Sequence, residues 1–365
     1  MIDMKLGITG LPNVGKTTLF NALTGEKAAT SAYAFTSVTP NVGTVKVPDD
    51  RLDFLAELYE PKKYTPATIE FVDIAGLAKG ASRGEGLGNG FLAAIRQTDA
   101  LLQVVRCFDN DELFTEPADA VRDVEALGLE LILADIDIIQ RKLDRTKKAA
   151  KSGDKRVRQD VEFLERFLAE LSDGKPARAC DLSNEERLLV SDGGLLSLKP
   201  VIYAANLDED GYADRENNKN YTALCELAKA EGAMVLPVCA RLEEDINDLS
   251  PEEQQEFLDD LGITERGLTR LIQCSYDLLG YISFLTAGKD EVRAWTIVRG
   301  TKAPRAAGKI HTDIERGFIR AEIVAFEALK TCGSMAAAKE KGLVRLEGKE
   351  YVMQDGDVTM FRFNV

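Results

Sequence analysis

The stretch Gly10-Leu11-Pro12-Asn13-Val14-Gly15-Lys16-Thr17, with Thr18 behind it, fits the phosphate-binding pattern G-x-x-x-x-G-K-[ST] without a mismatch. A short apolar run, Leu6 to Thr9, precedes it and reads as a buried strand. Thr18-Leu19-Phe20-Asn21-Ala22-Leu23 follows and reads as a helix, so the strand–loop–helix context that the pattern requires is present. The chemistry explains the residue types. Glycines let the main chain approach phosphates closely, so the amides of Asn13, Val14, Gly15, Lys16, Thr17 and Thr18 can point at negative charge. Lys16 supplies a cation to the β- and γ-phosphates, and the Thr17 hydroxyl can ligate Mg²⁺. The stretch predicts a nucleotide site at the head of an α/β fold.

Sixty-odd residues downstream, Ile69-Glu70-Phe71-Val72 reads as a second buried strand running into Asp73-Ile74-Ala75-Gly76. An aspartate at the carboxyl end of a strand beside the first can hold Mg²⁺ through water, and Gly76 can offer its N–H to the γ-phosphate. Ras-like enzymes carry a water-orienting glutamine after this glycine; here the residue is Leu77, which cannot orient water. Gly80, Gly84, Gly86, Gly88 and Gly90 predict a loop rather than a helix through this region. Between the two motifs lies a hydroxyl-rich segment in which Thr36, Ser37 or Thr39 could complete a Mg²⁺ shell. Spacing does not choose among the three.

The chain of 365 residues is long enough for two or three domains. No apolar run approaches a membrane span, and no signal peptide is read at the N-terminus. Six dispersed cysteines without a C-x-x-C pair argue against a zinc site or a disulfide framework and suit a reducing cytoplasm. A net charge of -15 disfavours indiscriminate binding to DNA, RNA or anionic membrane. Any RNA contact must come from a local basic patch. One is present. Leu129, Ile132, Ile136, Ile139 and Leu143, then Val157, Val161, Leu164, Leu168 and Leu171, predict two heptad-like helices joined at Ser152-Gly153-Asp154. Arg141, Lys142, Arg145, Lys147, Lys148, Lys151, Lys155, Arg156 and Arg158 crowd the tip against only Asp144 and Asp154. The patch suits a phosphate backbone; the plainer alternative is a solvated helix face.

The α/β pattern resumes at Pro200–Ala205, a buried strand ending in Asn206-Leu207-Asp208-Glu209, and continues at Met234–Val238. The division read from these patterns is a nucleotide domain at 1–125 and 200–280, a helical insertion at 126–199, and a small β-rich unit at 281–365. In that last unit strands are expected at 294–298, 319–323, 351–352 and 360–363, and the lone His311 reads as structural rather than catalytic. Asn206-Leu207-Asp208-Glu209 keeps the asparagine of the guanine-reading N-K-x-D motif but lacks its lysine and has a longer acid. A carboxylate would repel adenine N1, whereas an asparagine amide can serve N7 and N6 together, so adenine is expected over guanine.

With these pieces in order, the chain resembles the YchF subfamily of Obg-related P-loop NTPases, also called Obg-like or ribosome-binding ATPases. The resemblance spans Gly10–Thr17, Thr39–Gly43, Asp73–Leu77, Gly84–Asn89 and the degenerate base motif at Asn206. It continues through Arg293–Thr296, Ile310–Asp313, Gly317–Glu322 and Gln354–Val358. It implies an ATP-hydrolysing G domain, an inserted antiparallel coiled coil, and a C-terminal TGS domain of the kind associated with RNA and ribosomal partners. By the same resemblance the Mg²⁺-binding switch residue falls on Ser37, the main chain at Leu207 contacts the base, and a K⁺ ion is held at Asn13. Segment 109–117 has no histidine to match the loop histidine of some relatives. The expectation is a cytoplasmic Mg²⁺-dependent ATPase switch on the ribosome, either the large subunit or the whole particle, with slow turnover. The alternatives are an Obg-type GTPase and a nucleotide-gated binding module in which hydrolysis is incidental.

Overall fold

A computed structural model describes residues 5–25, 40–74, 87–110, 114–151, 154–260 and 266–364. Thr36, Ser37, Thr39, Gly76 and Leu77 lie outside these residues. The chain forms two compact units, one of residues 4–43 and 70–268, the other of 44–69 and 269–365.

The first unit is organised by a six-stranded sheet. Its strands are β1 (Lys5–Thr9), β2 (Asn41–Lys46), β4 (Thr68–Asp73), β5 (Ala100–Arg106), β6 (Val201–Asn206) and β7 (Met234–Val238), in the order β2-β4-β1-β5-β6-β7. The pairs β1–β4, β1–β5, β5–β6 and β6–β7 are parallel. Strands β5 and β6 are buried at every residue, as expected where helices cover both faces. Chain reversal after β1 is made by helix α1 (Lys16–Thr24), which starts immediately beyond the glycine-rich loop.

Glycines mislead over the segment after β4. The loop expected through Gly90 ends earlier, because helix α3 (Leu87–Arg96) takes in Gly88 and Gly90. Each glycine costs a helix about 1 kcal/mol. Burial of Phe91, Leu92 and Ile95 against Val72, Leu101 and Leu127 outweighs that cost.

The predicted helical hairpin is present as α4 (Ala120–Ala150) and α5 (Lys155–Ser172), capped by Asp119 and Asp154. It is not separated from the sheet at residue 126. Val124, Leu127 and Leu131 of α4 pack into the core beneath the sheet. Ile132, Ile139 and Leu143 then turn to face Leu164, Phe167 and Leu171 of α5. Leu129, placed on the hairpin seam by spacing alone, is 51% exposed, because the helix changes partners along its length. Asp135 sits at that changeover, fully buried. Its carboxylate accepts from the Leu196 N–H (2.7 Å), the Ser197 N–H (2.8 Å) and the Ser197 hydroxyl (2.6 Å), which pins α4 to the chain returning to β6.

The second unit holds another six-stranded sheet, ordered β11-β10-β12-β8-β9-β3. Its strands are β3 (Lys63–Thr65), β8 (Tyr281–Ala287), β9 (Glu291–Val298), β10 (Phe318–Ala325), β11 (Arg345–Glu347) and β12 (Asp357–Phe363). The stretch 351–352, read as a strand, supplies only a bridge from Val352 to Lys302. The compact unit also reaches beyond the expected boundary at 281. Strand β3 adds to the edge of β9, and helix α2 (Asp50–Tyr59) buries Leu52 and Leu55 while Phe54 meets Phe326 edge-on at 5.6 Å. The Tyr276 hydroxyl bonds Thr296 at 2.9 Å, which carries the unit back to residue 269. These are long-range pairings that composition does not reveal.

Candidate nucleotide site

Three residues of the loop between β1 and α1 adopt positive φ: Gly10 at 149°, Asn13 at 63° and Gly15 at 98°. Two of them need glycine for space as well. A Cβ on Gly10 would lie 2.5 Å from the Val104 carbonyl oxygen, and one on Gly15 would fall on the Asn206 amide nitrogen. Helix α1 starts at Gly15 without a side-chain cap or an acid in its first turn, so its leading N–H groups are free for an anion.

Lys16 is 8% exposed and donates from Nζ to the Leu11 carbonyl at 2.6 Å. Burial pushes its pKa down to about 8, with Asp73 pulling the other way. The Thr17 hydroxyl donates to Asp73 Oδ2 at 3.1 Å, which brings together the two predicted metal residues that are described. Asp73 Oδ1 is buried and has no hydrogen-bond partner among the described residues. Burial raises the Asp73 carboxyl above its usual range, opposed by the Thr17 hydroxyl and the Lys16 charge. An orphaned carboxylate oxygen beside a hydroxyl is the hard oxygen set a Mg²⁺ ion takes, so Thr17 and Asp73 fit the ion.

A triphosphate held by the Lys16 ammonium would give nucleotide affinity a pH dependence of definite sign, flat below pH 8 and falling towards tenfold per pH unit above it. Stability without nucleotide should move oppositely. Between pH 8 and 10.5 the unfolded chain holds the proton more firmly, so the folded state gains on the order of 3 kcal/mol as pH rises through that window. Nucleotide titration and urea melts at pH 7, 8, 9 and 10 would check both. Affinity that rose with pH would contradict the burial of this lysine.

Asn206 comes to the site, with a narrower role than its sequence position suggested. Its Nδ2 donates to the Val14 carbonyl at 2.9 Å, and its Oδ1 accepts from the Ala240 N–H at 3.0 Å. The side chain is therefore a staple between the glycine-rich loop and the helix Ala240–Asn247. One N–H of the amide has no partner among the described residues, and its oxygen already accepts one hydrogen bond. The N–H of Leu207 is likewise taken, by the Val238 carbonyl at 2.8 Å, so Leu207 can offer a base only its carbonyl. Asp208 caps the helix Glu209–Ala213 by accepting from the Gly211 N–H, and Glu209 is exposed. Asn13 is exposed and its amide has no partner among the described residues.

Away from the loop, the basic tip is smaller than its residue count. Lys142 pairs with Asp192 at 2.6 Å, Lys147 with Glu165 at 2.7 Å, and Arg141 Nε donates to the Asp137 carbonyl. Arg145, Lys148, Lys151, Lys155, Arg156 and Arg158 are exposed and unpaired among the described residues. His311 caps the helix Thr312–Arg316, its Nδ1 accepting from the Asp313 N–H at 3.2 Å. None of the six cysteines is in a disulfide, and among the described residues no group of three or more His, Cys, Asp and Glu could hold a metal. Sequence reasoning missed Arg106, a 2% exposed guanidinium over the Phe114 ring at 3.8 Å that donates to the carbonyls of Glu116 and Pro117. Only its place in an apolar strand could have flagged it.

A family model described as 50S ribosome-binding GTPase matches residues 5–141, and the YchF-GTPase C-terminal model, described as a protein of unknown function, matches 281–364. The ribosome-binding ATPase YchF of Bacillus subtilis is 52% identical over 361 residues, covering 98% of this chain and 99% of that protein. The chain belongs to the YchF family. Obg-like ATPase 1 of Gallus gallus is 41% identical over 99% of this chain and 93% of its own. The structure of the Schizosaccharomyces pombe YchF GTPase superposes with a TM-score of 0.86 at 36% identity, over 99% of this chain and 98% of that one. Family membership makes the Gly10–Thr17 cradle that of a P-loop nucleotide hydrolase, and the α/β architecture with a C-terminal YchF unit is the family's.

Proposed function

We propose that this chain is a Mg²⁺-dependent ATPase that acts as a slow, nucleotide-gated switch on ribosomes in the cytoplasm. The observation that carries the reading is the cradle itself: three positive-φ residues, a buried Lys16, and Asp73 with one oxygen bonded by Thr17 and the other without a hydrogen-bond partner among the described residues. Lys16 and the main-chain amides hold the triphosphate and stabilise the charge that develops on it, and Gly76 adds an amide at the γ-phosphate. Bound Mg²⁺ would supply charge neutralisation at the phosphate oxygens, held by Thr17, Ser37 and, through water, Asp73. Leu77 replaces the group that would orient water, which supports slow intrinsic turnover. Asn13, exposed in the loop, is the proposed K⁺ ligand.

Adenine is favoured because the two carboxylates after Asn206 are turned to other surroundings: Asp208 caps a helix through Oδ1 and Glu209 is exposed. The Leu207 carbonyl and the remaining Asn206 N–H supply an acceptor for N6 and a donor for N7. Titrating ATP and GTP with Mg²⁺, in K⁺ and then in Na⁺, tests the reading; ATP should bind tighter and turn over faster in K⁺. GTP binding tenfold tighter would overturn the base assignment, and equal rates in K⁺ and Na⁺ would remove the ion from Asn13.

The relatives' names supply the ribosome, and the six free cations of the hairpin tip are its expected contact with ribosomal RNA, with the C-terminal unit as a second. Among the described residues no helix is long and apolar enough to cross a membrane. Charge reversal of Arg145, Lys148, Lys151 and Lys155 should weaken ribosome binding by about 10²-fold or more at low salt and flatten its salt dependence. Pelleting with ribosomes at two salt concentrations reads this, and unchanged binding would return the tip to a solvated helix face.

A further inference from the structure

Helix α1 carries Lys16 and Thr17 at its head, so the place of its axis decides where both meet a phosphate. Its neighbour is the helix Ala240–Asn247. At the head of the pair, Asn206 joins the Val14 carbonyl to the Ala240 N–H, and the Ala240 Cβ lies 4.0 Å from where a Cβ on Gly15 would be. At the tail, Asn247 Nδ2 donates to the Ala22 carbonyl at 2.6 Å. That carbonyl belongs to the last turn of α1, where a helix leaves oxygens without intrahelical partners; the Gly25 N–H closes onto Asn21 instead. From Gly15 to Ala22 and from Ala240 to Asn247 is the same number of residues, about 10 Å of helix. The two helices therefore run side by side in one direction, fastened at both ends.

The tail bond is itself held. An amide could sit either way round, but Arg266 Nη2 donates to Asn247 Oδ1 at 2.8 Å, which only the oxygen can accept and which leaves Nδ2 for Ala22. Arg266 is fixed in turn by Glu243. The Glu243 Oε2 accepts from Arg266 Nε at 3.0 Å and Nη2 at 2.9 Å, while Oε1 accepts from the Leu268 N–H at 3.1 Å. Glu243 is 5% exposed, so salt screens this pair little. Glu243, Arg266, Asn247 and Ala22 all belong to the first compact unit.

We propose that Asn247 and Arg266 are positioning residues for nucleotide hydrolysis, locking α1 along its axis. An anion at the head is drawn to the leading N–H groups and pulls the helix towards itself; the tail bond opposes that slide. The helix is only nine residues long and stiff, so a slip at Ala22 arrives undiminished at Lys16 and Thr17. Binding tolerates such a slip, because the phosphates can move with the amides that hold them. The transition state does not, since a displacement of about 1 Å costs up to 10²-fold in rate. This role rests on nucleotide hydrolysis alone and requires neither a choice of base nor the ribosome.

Single-turnover hydrolysis and nucleotide titration on the full chain test this, with ATP or GTP, whichever the wild type turns over faster. Asn247 is exposed, which suits it to substitution. Asn247→Asp keeps an acceptor for Arg266, removes the donor to Ala22 and sets a carboxylate oxygen against that carbonyl. Its rate should fall about tenfold while affinity stays within about twofold of wild type. Arg266→Met frees the amide to turn and should slow the rate about fivefold; Arg266→Lys, which keeps a cation between Glu243 and Asn247, should regain most of that loss. The Asn247→Asp, Arg266→Met double variant should be no slower than the slower single, since both act through one bond. Thermal melts establish that each variant is folded at the assay temperature. Asn247→Ala, about threefold slow by the same reasoning, decides the matter if the aspartate unfolds the chain. A folded Asn247 variant with the wild-type rate would overturn the proposal. So would affinity that falls in step with rate, or losses that add in the double variant.

Discussion

Lys16→Ala should lower ATP turnover by on the order of 10²–10³-fold, the size expected when one donor to a developing phosphate charge is removed from a preorganised site. The same substitution should leave the nucleotide-free protein as stable as before, or more so. An ammonium 8% exposed, held down to about 8 by burial and bonded, among the described residues, only to the Leu11 carbonyl, is a cost to the folded state. The wild-type chain carries it because triphosphate binding repays the desolvation, the usual opposition between activity and stability at a site. Turnover assays and thermal melts on one preparation separate the two effects. Turnover within tenfold of wild type would remove Lys16 from the catalytic centre, and a large drop in melting temperature would show the lysine to be structural.

Asp135→Ala should cost about 4 kcal/mol of folding stability. The carboxylate is fully buried, and its removal strands the Leu196 and Ser197 N–H groups and the Ser197 hydroxyl. Burial raises this carboxyl, while the Ser197 hydroxyl and both amides pull it back down. Asp135→Asn, which keeps an oxygen for one donor and turns an N–H on another, should recover less than half of the loss. Urea unfolding of the three proteins gives the differences, and a loss below 1 kcal/mol for the alanine variant would mean that water or the main chain replaces the carboxylate. Because Asp135 joins α4 to the segment leading into β6, the same variant should loosen the hairpin before the sheet, visible as faster amide exchange along α4 beyond Ile136.

The parts of this protein legible from its residues are those whose chemistry is local. A glycine-rich turn, a lysine and a threonine in consecutive positions define a phosphate cradle whatever surrounds them, and Leu6 to Thr9 could hardly be anything but the strand that feeds it. Helical spacing likewise announced α4 and α5. Partnership was the work of the folded chain. Leu129 and Leu131 look alike in sequence, yet one faces water and the other the core, because two residues along a helix point to nearly opposite sides and only the side of Leu127 and Leu131 meets the sheet. Lys142 and Lys147 lose their freedom to acids that are remote in sequence or on the facing helix, at 192 and 165. Asn206 read as a base-recognition side chain and is held as a staple, since a buried amide must satisfy both its ends and the nearest partners are Val14 and Ala240. Near-neighbour bonding writes itself into a motif; the satisfaction of buried polar groups and the choice of packing face depend on atoms hundreds of positions away, and no window along the chain contains them.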